Sequence, residues 1–84
     1  MDCLTDMPNI GPIAADALER VGIKTPEQLR QVGAQEAWLR IRTQVDPGAC
    51  LHLLQGLEAA VENIPKKLLT AEKRAELNAF FKNY

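Results

Sequence analysis

The chain has 84 residues, 46% of them hydrophobic and 25% charged, with a formal net charge of −1. That length has room for one hydrophobic core, so residues 1–84 are expected to form a single domain, and the balance of composition excludes both disorder and a membrane-embedded protein. No run approaches the ~20 apolar residues of a membrane span, and the acidic start Met1-Asp2-Cys3-Leu4-Thr5-Asp6 lacks the basic opening and apolar stretch of a signal peptide, which makes a cytoplasmic location the expectation.

Strand-like alternation is absent, and helical spacing recurs between punctuation residues. Leu4 to Pro8 is read as a short helical turn. Asn9-Ile10-Gly11-Pro12 follows as a tight turn, since Asn and Gly tolerate positive φ and Pro12 suits the first position of a helix. The next helix sets Ile13, Ala14, Ala17, Leu18 and Val21 on one stripe. It ends at Gly22, with Ile23 folding back onto its last turn. Thr25-Pro26-Glu27-Gln28 is a cap, a first-turn proline and a capping-box glutamine in sequence. The helix it opens buries Leu29 and Val32 and stops near Gly33.

A further helix shows Ala34, Trp38, Ile41 and Val45 at helical intervals, with Gln35, Glu36, Arg40 and Arg42 opposite. Asp46-Pro47 is read as the start of the next, by the same logic of cap then proline. Cys50, Leu53, Leu54, Leu57, Val61 and Ile64 line one side of it and Leu51 adds a second apolar direction, as expected of the central helix of a fold. Pro65 closes it, Lys66 to Leu69 connect, and Thr70 caps a last helix, about Ala71 to Lys82, with Leu77, Phe80, Phe81 and Tyr84 in line. The prediction is an all-α, compact five-helix domain with a helix-hairpin-helix-like start.

Little in this chain can carry catalysis. Its single histidine, His52, has no partner at ligand spacing. Cys3 and Cys50 stand too far apart for a close-spaced zinc site, and Cys50 is read as a small core residue. No Ser-His-acid set, phosphate loop or paired-carboxylate pocket is visible, so a non-enzymatic protein without metal, cofactor or small-molecule substrate is expected. Charge is unevenly placed. Residues 1–65 carry five basic residues against nine acidic, whereas residues 66–84 carry Lys66, Lys67, Lys73, Arg74 and Lys82 against Glu72 and Glu76.

The stretch from Leu4 to Pro12, followed by Ala15, Leu18, Gly22-Ile23 and Thr25-Pro26-Glu27-Gln28-Leu29, resembles a helix-hairpin-helix. Taken with Gly33-Ala34, Glu36-Ala37-Trp38-Leu39-Arg40, Cys50-Leu51, Leu53-Leu54, Leu57-Glu58 and Lys73-Arg74-Ala75-Glu76-Leu77, the chain resembles the C-terminal domain of the TfoX/Sxy family. That resemblance implies an all-α bacterial domain associated with regulation of natural competence, acting at promoters with the cyclic-AMP receptor protein. Longer family members carry an N-terminal α/β domain ahead of this one. None is expected here, and a stand-alone copy need not regulate competence.

A helix-hairpin-helix holds nucleic acid by presenting turn N–H groups, at a helix N-terminus, to a phosphate. Asn9, Ile10 and Gly11 are the candidates here, with Arg20 and Lys24 as the nearest cations. Pro12 offers no N–H, Ile13 and Ala14 are neither basic nor hydroxyl-bearing, and Asp6 and Asp16 would repel phosphate. The turn can therefore be a simple joint with Ile10 as its plug, a sequence-independent contact to duplex DNA, or a protein contact. Two functions stay open: a DNA-associated regulatory accessory module, or a protein-interaction, homodimerising domain. For the second, Phe80, Phe81 and Tyr84 are the candidate contact for a second copy or a companion domain. One ring would anchor the last helix and the other lie at its edge, or both would be buried against the central helix.

Overall fold

In the computed structural model, which describes residues 3–84, the chain opens on a 3-10 turn over Leu4–Asp6. The Cys3 N–H donates to Asp6 Oδ2 at 2.9 Å and steadies it. Five α-helices follow among the described residues, α1 Pro12–Arg20, α2 Pro26–Val32, α3 Ala34–Gln44, α4 Leu51–Glu62 and α5 Ala71–Lys82, with a second 3-10 turn at Lys66–Leu68. No strand occurs among them.

The helix ends are set by local chemistry. At the end of α1, Gly22 takes a φ of 86°, its N–H reaches the Glu19 carbonyl at 3.0 Å, and the Ile23 N–H reaches Leu18 at 2.9 Å. That pair of bonds is a Schellman stop, and it folds Ile23 into the core. Asn63 does the same for α4 at a φ of 60°, with the Asn63 N–H on Ala60 and the Ile64 N–H on Ala59. Thr25 caps α2 by accepting the Gln28 N–H at 3.1 Å, while Gln28 Oε1 accepts the Lys24 N–H, closing the box one residue upstream of its usual place. Thr70 caps α5 through the Lys73 N–H at 3.0 Å.

Helix α4 lies against α2, α3 and α5 and buries Leu54, Leu57, Ala59 and Ala60. Trp38 of α3 is fully buried and its Nε1–H donates to the Cys50 carbonyl at 3.1 Å, so the ring is core with its one polar atom satisfied. Leu18, Ile23, Leu29, Ile41 and Leu77 complete the interior. The segment after α4 is clamped by Arg74, whose Nη2 donates to the Lys66 carbonyl at 2.8 Å and whose Nε donates to Leu69 at 3.3 Å. The Cα radius of gyration is 11.6 Å, against about 12 Å for a well-packed chain of this length.

Three readings are corrected. Helix α4 begins at Leu51 rather than Pro47, because residues 46–49 are spent on a turn: the Asp46 carboxylate accepts the Gly48 N–H at 2.9 Å and its carbonyl accepts that of Ala49 at 3.0 Å. Cys50 is consequently the exposed N-cap of α4 and not a core residue, and Ala49 is buried beside it. Ile13 leaves the buried stripe of α1. It stands 100° around the helix from Ala14 and is 88% exposed. The longest helices have 12 residues, and no helix among the described residues is long and apolar enough to cross a membrane.

Candidate functional site

The hairpin turn is fastened inward. Asn9 sits in the left-handed region at a φ of 69°, its Nδ2–H donates to the Ile64 carbonyl at 3.0 Å, and its Oδ1 accepts the Lys66 N–H at 3.2 Å. Ile10 is buried. Gly11 is extended, at φ −91° and ψ −179°, and precedes Pro12 as the N-cap of α1. The side chain of Asn9 thus ties the turn to the end of α4, and the chemistry here is that of a structural joint.

The residues expected to act with the turn are divided by the fold. Arg20 lies at the far end of α1, about 12 Å along the axis from Pro12 at 1.5 Å per residue, and its Nε donates to Asp16 Oδ2 at 2.9 Å. Lys24 lies beyond that end, beside Cys3, Thr5 and Glu19. What the fold does bring to Asn9 is Lys66, with Lys67 next to it. In sequence these lysines stand out only as part of the basic C-terminal segment, 57 positions from Asn9.

On the last helix Phe80, Phe81 and Tyr84 all meet Trp38, with ring centroids at 5.9, 5.5 and 6.3 Å, and Phe80 and Tyr84 are 5.0 Å apart. Both phenylalanines are half-buried, so neither serves as a sole anchor, and both rings meet Trp38 of α3. Tyr84 remains half exposed, and the Arg42 guanidinium donates to its backbone oxygen. Of the neighbouring cations, Lys73 is paired with Glu76 at 3.0 Å.

A feature that residue spacing did not reveal lies at the C-terminal end of α3. Helix α1, the end of α3 and the turn leading into α4 enclose an open groove of about 410 Å³. Its walls are Ala14, Ala17, Ile41, Val45, Ala49 and Leu53. Asp16, Arg20 and Asp46 supply polar atoms, and Ile13 and Cys50 also line it. Among the described residues Ile13 is the most exposed of the large hydrophobic side chains.

A smaller depression holds carboxylates. Glu58 and Glu76 face Gly33, Ala34, Gln35 and Glu36 at the start of α3. Burial is the main cause that pushes the Glu58 carboxyl up to about 7, helped by its hydrogen bond with Glu62 and the charges of Glu62 and Glu76, and opposed by Lys73. Among the described residues no group of three or more His, Cys, Asp or Glu is disposed to hold a metal ion.

Comparison with known proteins gives the following. The family model described as the TfoX C-terminal domain matches residues 1–81. Among curated proteins none matches. An uncharacterised protein from Listeria monocytogenes, solved in a triclinic crystal form, is 40% identical over 96% of this chain and 91% of that one, with a TM-score of 0.94. A Listeria monocytogenes protein of unknown function in a tetragonal form is also 40% identical, over 95% and 96% of the two chains, with a TM-score of 0.92. The all-helical arrangement described above is therefore that of solved relatives.

Proposed function

We propose that this chain, which belongs to the TfoX C-terminal domain family, works as a non-enzymatic regulatory module that engages a protein partner through the groove between α1, α3 and α4. The observation that carries this reading is Ile13, an isoleucine 88% exposed on a groove whose walls are alanine, isoleucine, valine and leucine. Covering such a side chain is worth about 1.5–3 kcal/mol, and its place on the rim of an apolar concavity is what supports a contact there. The family supplies the regulatory character, and a cytoplasmic location fits it.

A DNA-associated role is the second reading, and one observation favours it. Asn9 holds the backbone of Lys66, so Lys66 and Lys67 stand next to the turn that opens α1. Against it weigh the net charge of −1 and Asp16 on the first turns of α1. Titration with a ~20-base-pair duplex at about 50 and about 200 mM salt separates the two, because phosphate contacts make affinity fall steeply with salt. The expected result is no binding at the lower salt. Salt-sensitive binding that Lys66→Glu and Lys67→Glu abolish would establish the DNA role instead. The groove is tested by Ala17→Arg, which fills it: a cellular protein partner that survives Ala17→Arg refutes the groove reading.

A further inference from the structure

We propose that the end of α4 is a proton-sensitive catch: one proton shared by Glu58 and Glu62 keeps its last turn closed, and loss of that proton loosens the joint at Asn9. Of the five helices among the described residues, α4 alone ends without a cation. Arg20, Arg30, Arg42 and Lys82 stand in the last turns of α1, α2, α3 and α5, where they meet the negative end of the helix dipole. The last turn of α4 has no basic residue and closes on Glu62. Glu58 precedes Glu62 by four positions, so the two carboxyls share one face of the helix, where like charges repel. A proton held between them removes that repulsion.

The neighbouring charges leave the pair without a cation of its own. On α5, Lys73 attracts Glu58 but is already bonded to Glu76 at 3.0 Å, and Glu76 repels. On α3, Glu36 lines the same depression and is paired with Arg40 at 2.9 Å. Val32, at the end of α2, brings no charge. Burial, and then the bond that protonated Glu58 donates to Glu62, raise the Glu58 carboxyl to about 7. The closed end holds the proton more tightly than an open one, so closure weakens as pH rises from the ordinary 4.5 through about 7. What this end holds is the hairpin. The Asn63 and Ile64 N–H groups close α4 on Ala60 and Ala59, and the Ile64 carbonyl and Lys66 N–H are the two groups that Asn9 grips.

The experiment is native-state hydrogen exchange of the full chain, read amide by amide by NMR at pH 5 and pH 8 and normalised to the intrinsic rates of an open chain. Opening at Asn63, Ile64 and Lys66 is expected to rise about fivefold. The Ile23 and Val45 amides, which close α1 and α3 on Leu18 and Ile41, should hold steady. Glu58→Gln should flatten the rise by removing the titrating group. Glu62→Lys should flatten it as well, by supplying the cation that the other helices have. Opening at the three amides that is indifferent to pH overturns the inference, as does a rise that survives both variants. An equal rise at Ile23 and Val45 overturns it too, since the pair would then act on the whole fold and not on the end of α4.

Discussion

Replacing Asn9 tests whether the hairpin turn is a structural joint. Its side chain makes two hydrogen bonds, 3.0 Å to the Ile64 carbonyl and 3.2 Å from the Lys66 N–H. Each is worth about 1 kcal/mol net at this exposed position. Its backbone stands at a φ of 69°, a conformation that glycine adopts freely and asparagine readily but that costs alanine about 1 kcal/mol. Asn9→Ala loses both bonds and takes on the strain, so it should cost about 2.5–3 kcal/mol. Asn9→Gly loses the bonds alone and should cost about 1.5–2 kcal/mol. For a chain this short that corresponds to a melting temperature lower by roughly 10–20 °C for the alanine variant. Urea unfolding followed by circular dichroism measures both. Asn9→Ala within about 0.5 kcal/mol of the parent, or Asn9→Gly costing more than Asn9→Ala, would refute the reasoning.

Three further outcomes are expected. Phe80→Ala and Phe81→Ala should each cost about 1.5–3 kcal/mol in the same assay, as half-buried rings that both pack on Trp38; a neutral result for either would show that its ring does not anchor α5. Glu58 binds its proton more tightly folded, at about 7, than at its ordinary 4.5, so its effect on stability turns increasingly unfavourable as pH rises between those values. Glu58→Gln should match the parent near pH 4.5 and exceed it at pH 8, by about 1 kcal/mol once exposure of the site is discounted; a gain independent of pH would contradict this. Gly56→Ala in α4 should stabilise by about 0.5–1 kcal/mol, because a Cβ there meets only Asn9 at 3.8 Å. Gly33→Ala, at a φ of 88°, should destabilise by about 1–3 kcal/mol, and equal effects at the two glycines would undo that contrast.

What the residues disclosed in advance was local. The Thr25 and Thr70 caps and the Gly22–Ile23 stop depend on atoms within five positions, and so they are legible in sequence. The five-helix architecture follows from them together with helical spacing, and the family resemblance extends over residues 1–81. The start of α4 misled because Asp46-Pro47 serves equally as a helix cap and as the opening of an Asx turn, and Gly48 accepts the second. Cys50 moved to the surface with it. The role of Asn9 was hidden because its partners lie 55 and 57 positions away. Ile13 fits a helical spacing as well as Leu18 does, and only the placing of α3 decides which of them is covered.

The clamp made by Arg74 sets a ceiling on how the basic segment can respond to ionic strength. With Arg74 turned onto the carbonyls of Lys66 and Leu69 and Lys73 paired to Glu76, three cations of the basic segment remain to face a polyanion: Lys66, Lys67 and Lys82. Three phosphate contacts give a slope of log affinity on log salt of about −2.7, which amounts to roughly a 40-fold loss over a fourfold rise in salt. A steeper dependence that Arg74→Gln returns to this value would mean that Arg74 had left the carbonyls of Lys66 and Leu69, whereas one that Lys24→Gln reduces would bring in cations outside the segment. Measured on Arg74→Gln, the slope therefore reports whether the end of the fold stays closed.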